Sequence, residues 1–198
     1  FFLSADLSQS RQLVFLHSGD HVTTEVHYLP TADLLATPKL ISKRTSGHEY
    51  YVDHQGDDAQ SGRLLIRSNL RHANFDLYEI ALTHSAINSS MQLDQASWQS
   101  IVTGDDHTYL TNHMAFKAHL FVEVRIDGLD QIMVLEQNGE SHFIQMPEES
   151  YSLGFGTNAD YGANFLRLGY TSMVTPNTVY DYALDTGVLQ QRKVQQVP

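Results

Sequence analysis

The sequence predicts an all-β protein whose strands form four-stranded antiparallel blades, the repeating unit of a β-propeller. Three observations predict it. First, four short runs are apolar at consecutive positions: Leu13-Val14-Phe15-Leu16, Leu64-Leu65-Ile66, Leu120-Phe121-Val122, and Phe165-Leu166 with Leu168. Short runs of this kind fit strands covered on both sides. Second, their starts are separated by 51, 56 and 45 residues, and four-strand meanders returning at a period of about 50 residues are the signature of propeller blades. Third, turn chemistry follows every run: Ser18-Gly19-Asp20, Asn69 to Asn74, Asp127-Gly128 and Thr175-Pro176-Asn177. Asp-Gly suits a tight hairpin because both central positions need positive φ.

The remaining strands fall into place around these runs. A short strand precedes each one: Phe1 to Ala5, Glu49 to Asp53, Tyr109 to Thr111 and Tyr151 to Phe155. Each turn leads into a third strand, Val22 to Leu29, Phe75 to Leu82, Gln131 to Glu136 and Val179 to Leu184, where apolar and polar residues mix as on a partly exposed surface. A shorter fourth strand closes each unit: Lys39 to Ser42, Ser100 to Val102, Phe143 to Met146 and Arg192 to Val194. Asn138-Gly139 and Asp185-Thr186-Gly187 supply the last hairpins of the third and fourth units. The segment His84 to Gln99 has room for a helical turn but reads better as a long hairpin loop. The expected blades cover residues 1–46, 47–104, 105–148 and 149–198. A β-sandwich would use similar strands, yet it does not call for the periodic return of a doubly apolar one. The Trp-Asp mark of one propeller class is absent, and Trp98 is the only tryptophan.

With 198 residues, 41% of them hydrophobic, the chain can bury a sizeable core. It has no run of about 18 apolar residues, so no membrane partner is expected. Phe1 and Phe2 open directly into the alternating pattern, without the basic and apolar regions of a signal peptide. There are no cysteines, which excludes disulfides, thiolate metal sites and a cysteine nucleophile within this segment; it mildly favours a reducing compartment, although it is compatible with any location, and a cytoplasmic protein is expected. Twelve Lys and Arg stand against 23 Asp and Glu, a formal charge of −11. Nucleic acid is disfavoured as a partner, because phosphate binding needs clustered positive charge. An acidic surface attracts cationic ligands such as basic peptides, and equally serves solubility alone.

The chemical motifs are mostly missing. There is no G-x-S-x-G, P-loop, G-x-G-x-x-G or H-E-x-x-H. His21, Glu25 and His27 share one strand face, but His21 and His27 would lie about 20 Å apart on an extended strand, too far for one ion. They read as exposed polar residues. Asp105-Asp106-His107 reads as a turn with solvated charge. Asn88-Ser89-Ser90 matches a glycosylation sequon, which matters only on a secretory route. Arg67, Arg71, Arg125 and Arg167 recur near the ends of the apolar strands and are expected to pair with loop carboxylates. No residue is assigned as catalytic, cofactor-binding or metal-ligating, and no cofactor is expected.

Leu168-Gly169-Tyr170-Thr171-Ser172-Met173, then Thr175-Pro176, Val179-Tyr180 and Asp185-Thr186-Gly187, resemble the end of the propeller in the prolyl oligopeptidase family of serine peptidases, and within it the oligopeptidase B group. Arg67-Ser68-Asn69 with Asn74-Phe75 and Leu77-Tyr78, and before them His48-Glu49-Tyr50 with Asp53-His54, are similar to an earlier blade. Thr24-Glu25-Val26 adds a weaker match. The resemblance implies four C-terminal blades of a seven-bladed propeller. It also implies a catalytic α/β-hydrolase domain elsewhere in the same chain that carries the Ser, Asp and His. The chain begins with Phe1 and stops eleven residues after Gly187, so the expectation is an excised part, silent by itself. The implied role is to gate entry of short basic peptides to a site cleaving after Arg or Lys. Strands such as Glu49 to Asp53 and Tyr109 to Asn112 would line the channel. A non-enzymatic propeller that binds a ligand or protein is the competing reading. Four blades of seven would leave two open faces, so the fragment is expected to self-associate.

Overall fold

A computed structural model of the chain describes residues 1–82, 93 and 95–196. Among them, sixteen strands form four antiparallel sheets. The first sheet holds β1 (Phe2–Leu7), β2 (Leu13–Gly19), β3 (Thr24–Pro30) and β4 (Lys39–Leu40). The second holds β5 (Tyr50–Gln55), β6 (Arg63–Ser68), β7 (Asp76–Ala81) and β8 (Gln99–Val102). The third holds β9 (Thr108–Ala115), β10 (His119–Ile126), β11 (Leu129–Glu136) and β12 (Ser141–Phe143). The fourth holds β13 (Tyr151–Phe155), β14 (Phe165–Ser172), β15 (Thr178–Ala183) and β16 (Leu189–Val194). In every sheet each strand pairs only with its sequence neighbours, so all four are plain meanders. Two compact units result, residues 1–106 with the first two sheets and residues 107–198 with the last two.

Turn chemistry sets the registers. Asp127 and Gly128 both take positive φ, 49° and 89°, and close β10 onto β11 with Ile126 opposite Leu129. Nothing lies within 4 Å of a Cβ built on Gly128, so its requirement is conformational rather than spatial. The Asn138-Gly139 turn starts the fourth strand sooner than expected. Gly139 N–H donates to the Glu136 carbonyl, and the returning chain already pairs Ser141 with Leu135. The fourth strand of that sheet therefore covers Ser141–Phe143, ahead of the expected Phe143 to Met146. β4 is cut to Lys39–Leu40, and β9 is longer than expected because it follows β10 through a bulge at Glu123 and Val124. Part of the His84 to Gln99 segment lies outside the described residues; the part described includes one 3₁₀ turn at Gln95–Ser97. The Asn88-Ser89-Ser90 tripeptide lies outside the described residues.

The period-two alternation decides what packs. In the first unit Leu13, Phe15, Val26 and Tyr28 of the first sheet meet Tyr50, Leu64, Ile66 and Tyr78 of the second. The Tyr50 hydroxyl accepts from Val26 N–H (2.7 Å) and donates to the Ser42 carbonyl (2.8 Å). It thereby ties the two sheets through a polar bond inside an apolar layer. Burial, the main cause, pushes its pKa up to about 12. In the second unit Phe121, Ile132 and Val134 meet Leu153, Leu166, Leu168 and Tyr182. Each fully buried side chain of this size contributes about 1.5–3 kcal/mol, as an upper bound.

The four apolar runs are not equally covered. Leu64, Leu65 and Ile66 in β6, and Phe121 and Val122 in β10, have no exposed surface, so both faces of those strands are buried. In β2 only Leu13 and Phe15 are buried, while Val14 and Leu16 on the other face are half-buried. In β14 the second face carries Arg167 and Gly169, and Gly169 is exposed. Two of the four strands expected to be covered on both sides are thus covered on one. The run of apolar letters in β2 was a true signal of a strand, but not of two partners.

Candidate functional site

The polar clusters of the sequence separate in space. His21 lies in the turn before β3 with its ring against Phe2, 5.5 Å between centroids. Glu25 faces Arg44 instead, at 3.8 Å, and accepts the Arg44 N–H. Among the described residues no three His, Asp or Glu side chains gather as metal ligands would. Asp106 pairs with His72 (3.5 Å) and His107 with Asp127 (2.8 Å), so the acidic triplet is pulled apart into two exposed pairs. The arginines follow two patterns. Arg125 binds Asp130 (2.8 Å), and Arg167 grips Asp181 with two bonds of 2.8 and 2.9 Å while Arg192 joins from β16. Both carboxylates sit on strands, not in loops as expected. Arg67 instead lies between the rings of Tyr51 (4.3 Å) and Phe75 (4.6 Å), and Arg71 lies over Tyr78 (5.8 Å). Cation–π stacking suits guanidinium planes set beside rings.

Two serine–histidine pairs come together that sequence distance conceals. Ser68 Oγ lies 2.7 Å from His48 Nε2, and Ser10 Oγ lies 2.7 Å from His54 Nδ1, 44 residues away. All four side chains are buried. His54 Nε2 lies 3.0 Å from the Ser61 carbonyl, which can only accept, so Nε2 carries the proton and Nδ1 accepts from Ser10. A buried neutral imidazole that spends both nitrogens in this way is a tie between sheets, not a general base facing substrate. Gln9 N–H adds a bond to Asp53 Oδ1 (2.9 Å) along the same seam.

Burial lowers the pKa of His48 and His54, and of His17 against the smaller upward pull of Asp6. Above the ordinary value of 6.5 these rings are neutral folded or unfolded, and their titration adds nothing. As the pH falls through 6.5 the unfolded chain takes up protons first, so stability is lost on acidification until the lower folded values are reached. The urea midpoint of residues 1–106, followed by the near-ultraviolet signal of Trp98, is expected to be lower at pH 5.5 than at pH 7.5. Equal midpoints would contradict the assignment of buried neutral rings.

The first strand of each sheet is an edge strand. In the fourth sheet the edge N–H of Phe155 donates to the Glu123 carboxylate, which reaches over from β10. In the second sheet Glu49 N–H donates to Asn69 Oδ1 (2.8 Å), and Asn69 Nδ2 donates to the Gly47 carbonyl (3.1 Å). The Glu123 carboxylate thus occupies one edge donor that would otherwise be free to template a further strand, whereas Asn69, whose N–H also donates to the Glu49 carbonyl, closes Glu49 onto the β6 side of its sheet.

Exposed apolar residues stand along β1, at Leu34-Leu35 between β3 and β4, and in three of the connections between second and third strands. Val22 occupies that position in the first sheet and Leu70 in the second, and Met173 and Val174 in the fourth are 97% and 82% exposed. Sequence alone assigns Met173 and Val174 no exposed position. The available signal was two adjacent apolar residues inside a turn framed by Ser172 and Thr175-Pro176. Below that turn Tyr170 is buried between Tyr151 (5.5 Å) and Tyr180 (5.7 Å). Its pKa is pushed up to about 12, by burial first and then by the Glu148 carboxylate.

Residues 1–195 match the family described as prolyl oligopeptidase, N-terminal beta-propeller domain. Over 198 residues, 100% of this chain and 26% of the relative, the chain is 27% identical to dipeptidyl aminopeptidase BI of Pseudoxanthomonas mexicana. It is 30% identical to Protease 2 of Moraxella lacunata over 190 residues, 96% of this chain and 25% of that one. The fold of oligopeptidase B from Trypanosoma brucei, solved in a closed form with covalently bound antipain, superposes with a TM-score of 0.84. That alignment covers 99% of this chain and 28% of the other at 20% identity, and at that identity it speaks for the fold alone. The chain spans about a quarter of the length of the curated relatives it matches.

Proposed function

The chain belongs to the prolyl oligopeptidase N-terminal β-propeller family, and from that premise we propose that it is the non-catalytic gating segment of a cytoplasmic serine oligopeptidase that cleaves short peptides after Arg or Lys. The family match over residues 1–195 carries this reading. Kinship with Protease 2, together with the formal charge of −11, favours basic substrates. In homologues the propeller shares its chain with a catalytic domain. There a serine attacks the peptide carbonyl while histidine and aspartate manage the proton. The propeller's part is exclusion: it admits short flexible peptides, and domain closure completes the site and shuts out water. The Glu123 carboxylate on the Phe155 edge N–H supports this role, because a gate must not capture the extended peptides it passes. The fluorogenic test uses the full-length parent, which is expected to cleave arginyl and lysyl substrates well above prolyl ones. A preference for proline, or a parent without a nucleophile elbow, overturns the reading.

Residues 1–198 alone are expected to be silent, because both serine–histidine pairs are buried. Turnover of an arginyl substrate that survives further purification, with labelling by a serine-directed fluorophosphonate, would refute this. The isolated chain is also expected to self-associate. The motivating feature is the first sheet, where Leu3 and Leu7 are exposed beside half-buried Val14 and Leu16. Light scattering across a concentration series reads the mass, and a strictly monomeric value at the highest concentration excludes association.

A further inference from the structure

The turn between β14 and β15 is built to hold an apolar tip in water. Its shape is fixed before any partner arrives. Ser172 Oγ accepts from the N–H groups of Val174 (3.1 Å) and Thr175 (2.9 Å), and Ser172 N–H donates to the Thr175 carbonyl (2.9 Å). Thr171 Oγ1 donates to the same carbonyl (3.2 Å), the Thr175 hydroxyl donates to Glu148, and Thr178 Oγ1 donates to the Pro176 carbonyl (2.7 Å). A single exposed apolar side chain needs no explanation. Two adjacent ones, Met173 and Val174, on a loop this restrained have already lost most of the freedom that binding would remove.

The path of the chain says what meets them. β16 ends at Val194, directly opposite Thr178. Gln195 N–H donates to the Asn177 carbonyl (2.8 Å), and Asn177 Nδ2 donates to Gln195 Oε1 (2.9 Å). Gln195 therefore lies at the end of the sheet that carries the Met173–Val174 turn. In homologues a catalytic domain shares the chain, and this chain accounts for only 26% and 25% of its curated relatives. Resting on the gating reading above, we infer that Met173 and Val174 form an anchor that seats in an apolar recess of the peptidase domain of the same polypeptide and holds the closed arrangement. Apolar side chains in a preformed recess act as the central contacts of an interface, and charge placed there opposes docking.

The test uses the full-length parent and the double variant M173D/V174D. In residues 1–198 alone both side chains stand in water, so the thermal midpoint of that chain is expected to stay within error of the wild type when it carries M173D/V174D. kcat/KM for a short arginyl peptide is expected to fall about tenfold. Small-angle scattering of the inhibitor-bound form is expected to show a larger radius of gyration, and peptides normally rejected for length are expected to be cleaved. The apolar variant M173L/V174I is expected to keep wild-type values. A folded M173D/V174D protein with unchanged kcat/KM and scattering overturns the inference. So does a wild-type mass that rises with concentration and drops in the variant, which would assign the tip to a second copy. If the parent proves inactive toward Arg and Lys peptides, the gating reading falls. Scattering then decides the anchor by itself, an expanded variant supporting it and an unchanged one ending it.

Discussion

Replacing Leu65 by Asp is expected to unfold residues 1–106. Leu65 is 0% exposed at the centre of β6, opposite Asp53 on β5 and Glu79 on β7. A third carboxylate at this register position would be buried beside two others, with no cation gained. A buried unpaired charge costs several kcal/mol, on the order of the stability of a whole domain. Circular dichroism and solubility check the result, and a soluble variant with a native-like unfolding transition would contradict it. Leu65→Ala provides the scale, because it leaves only a cavity and is expected to cost about 2–5 kcal/mol.

The second large effect is expected at Phe121→Ala in β10. The ring is fully buried, set edge-on against Phe116 at 5.1 Å and stacked with His119 at 6.1 Å. It is a central member of the layer joining the third and fourth sheets. Removing it forfeits the transfer energy of the ring and leaves a cavity that a sheet pinned on both sides by β9 and β11 cannot close. The expected loss is about 3–5 kcal/mol, read from urea unfolding of residues 1–198. A loss below about 1 kcal/mol would mean the site collapses easily and the layer is looser than its burial suggests.

Much of the fold was legible because its determinants are local. Asp127-Gly128 announces a hairpin in two letters, and Leu64-Leu65-Ile66 announces a covered strand in three. The residues from Tyr170 to Gly187 went further and pointed to a family, since they combine strand pattern with two specific turns. Other features were invisible because they depend on distant pairs. No local pattern tells Ser10 that it will meet His54, or tells Arg67 that it will lie over Tyr51 and Phe75. Coverage was equally hidden. Val14 and Leu65 each sit second in an apolar run and look alike as letters. Yet Val14 is half-buried and Leu65 wholly so, because burial belongs to what lies across the sheet. The Met173–Val174 tip was hidden as well, because its letters do not show the Ser172 bonds that turn the chain there.

The plain meander of every sheet has a consequence for how the molecule comes into being. Each sheet is completed within one contiguous stretch, and no strand is lent from one to another. Apart from β8, which returns to β7 from Gln99, every pairing can therefore be made by closing a short loop, which costs little entropy and proceeds quickly. A ribosome releasing the chain from its amino end would deliver finished hairpins one after another, never holding an unpaired strand in wait for a mate made much later. The slow event is then not pairing but the meeting of finished sheets, when Tyr50 first reaches Val26 and Ser42. Evolution inherits the same arrangement: a unit that pairs within itself can be copied, lost or added without rewriting the hydrogen bonds of its neighbours.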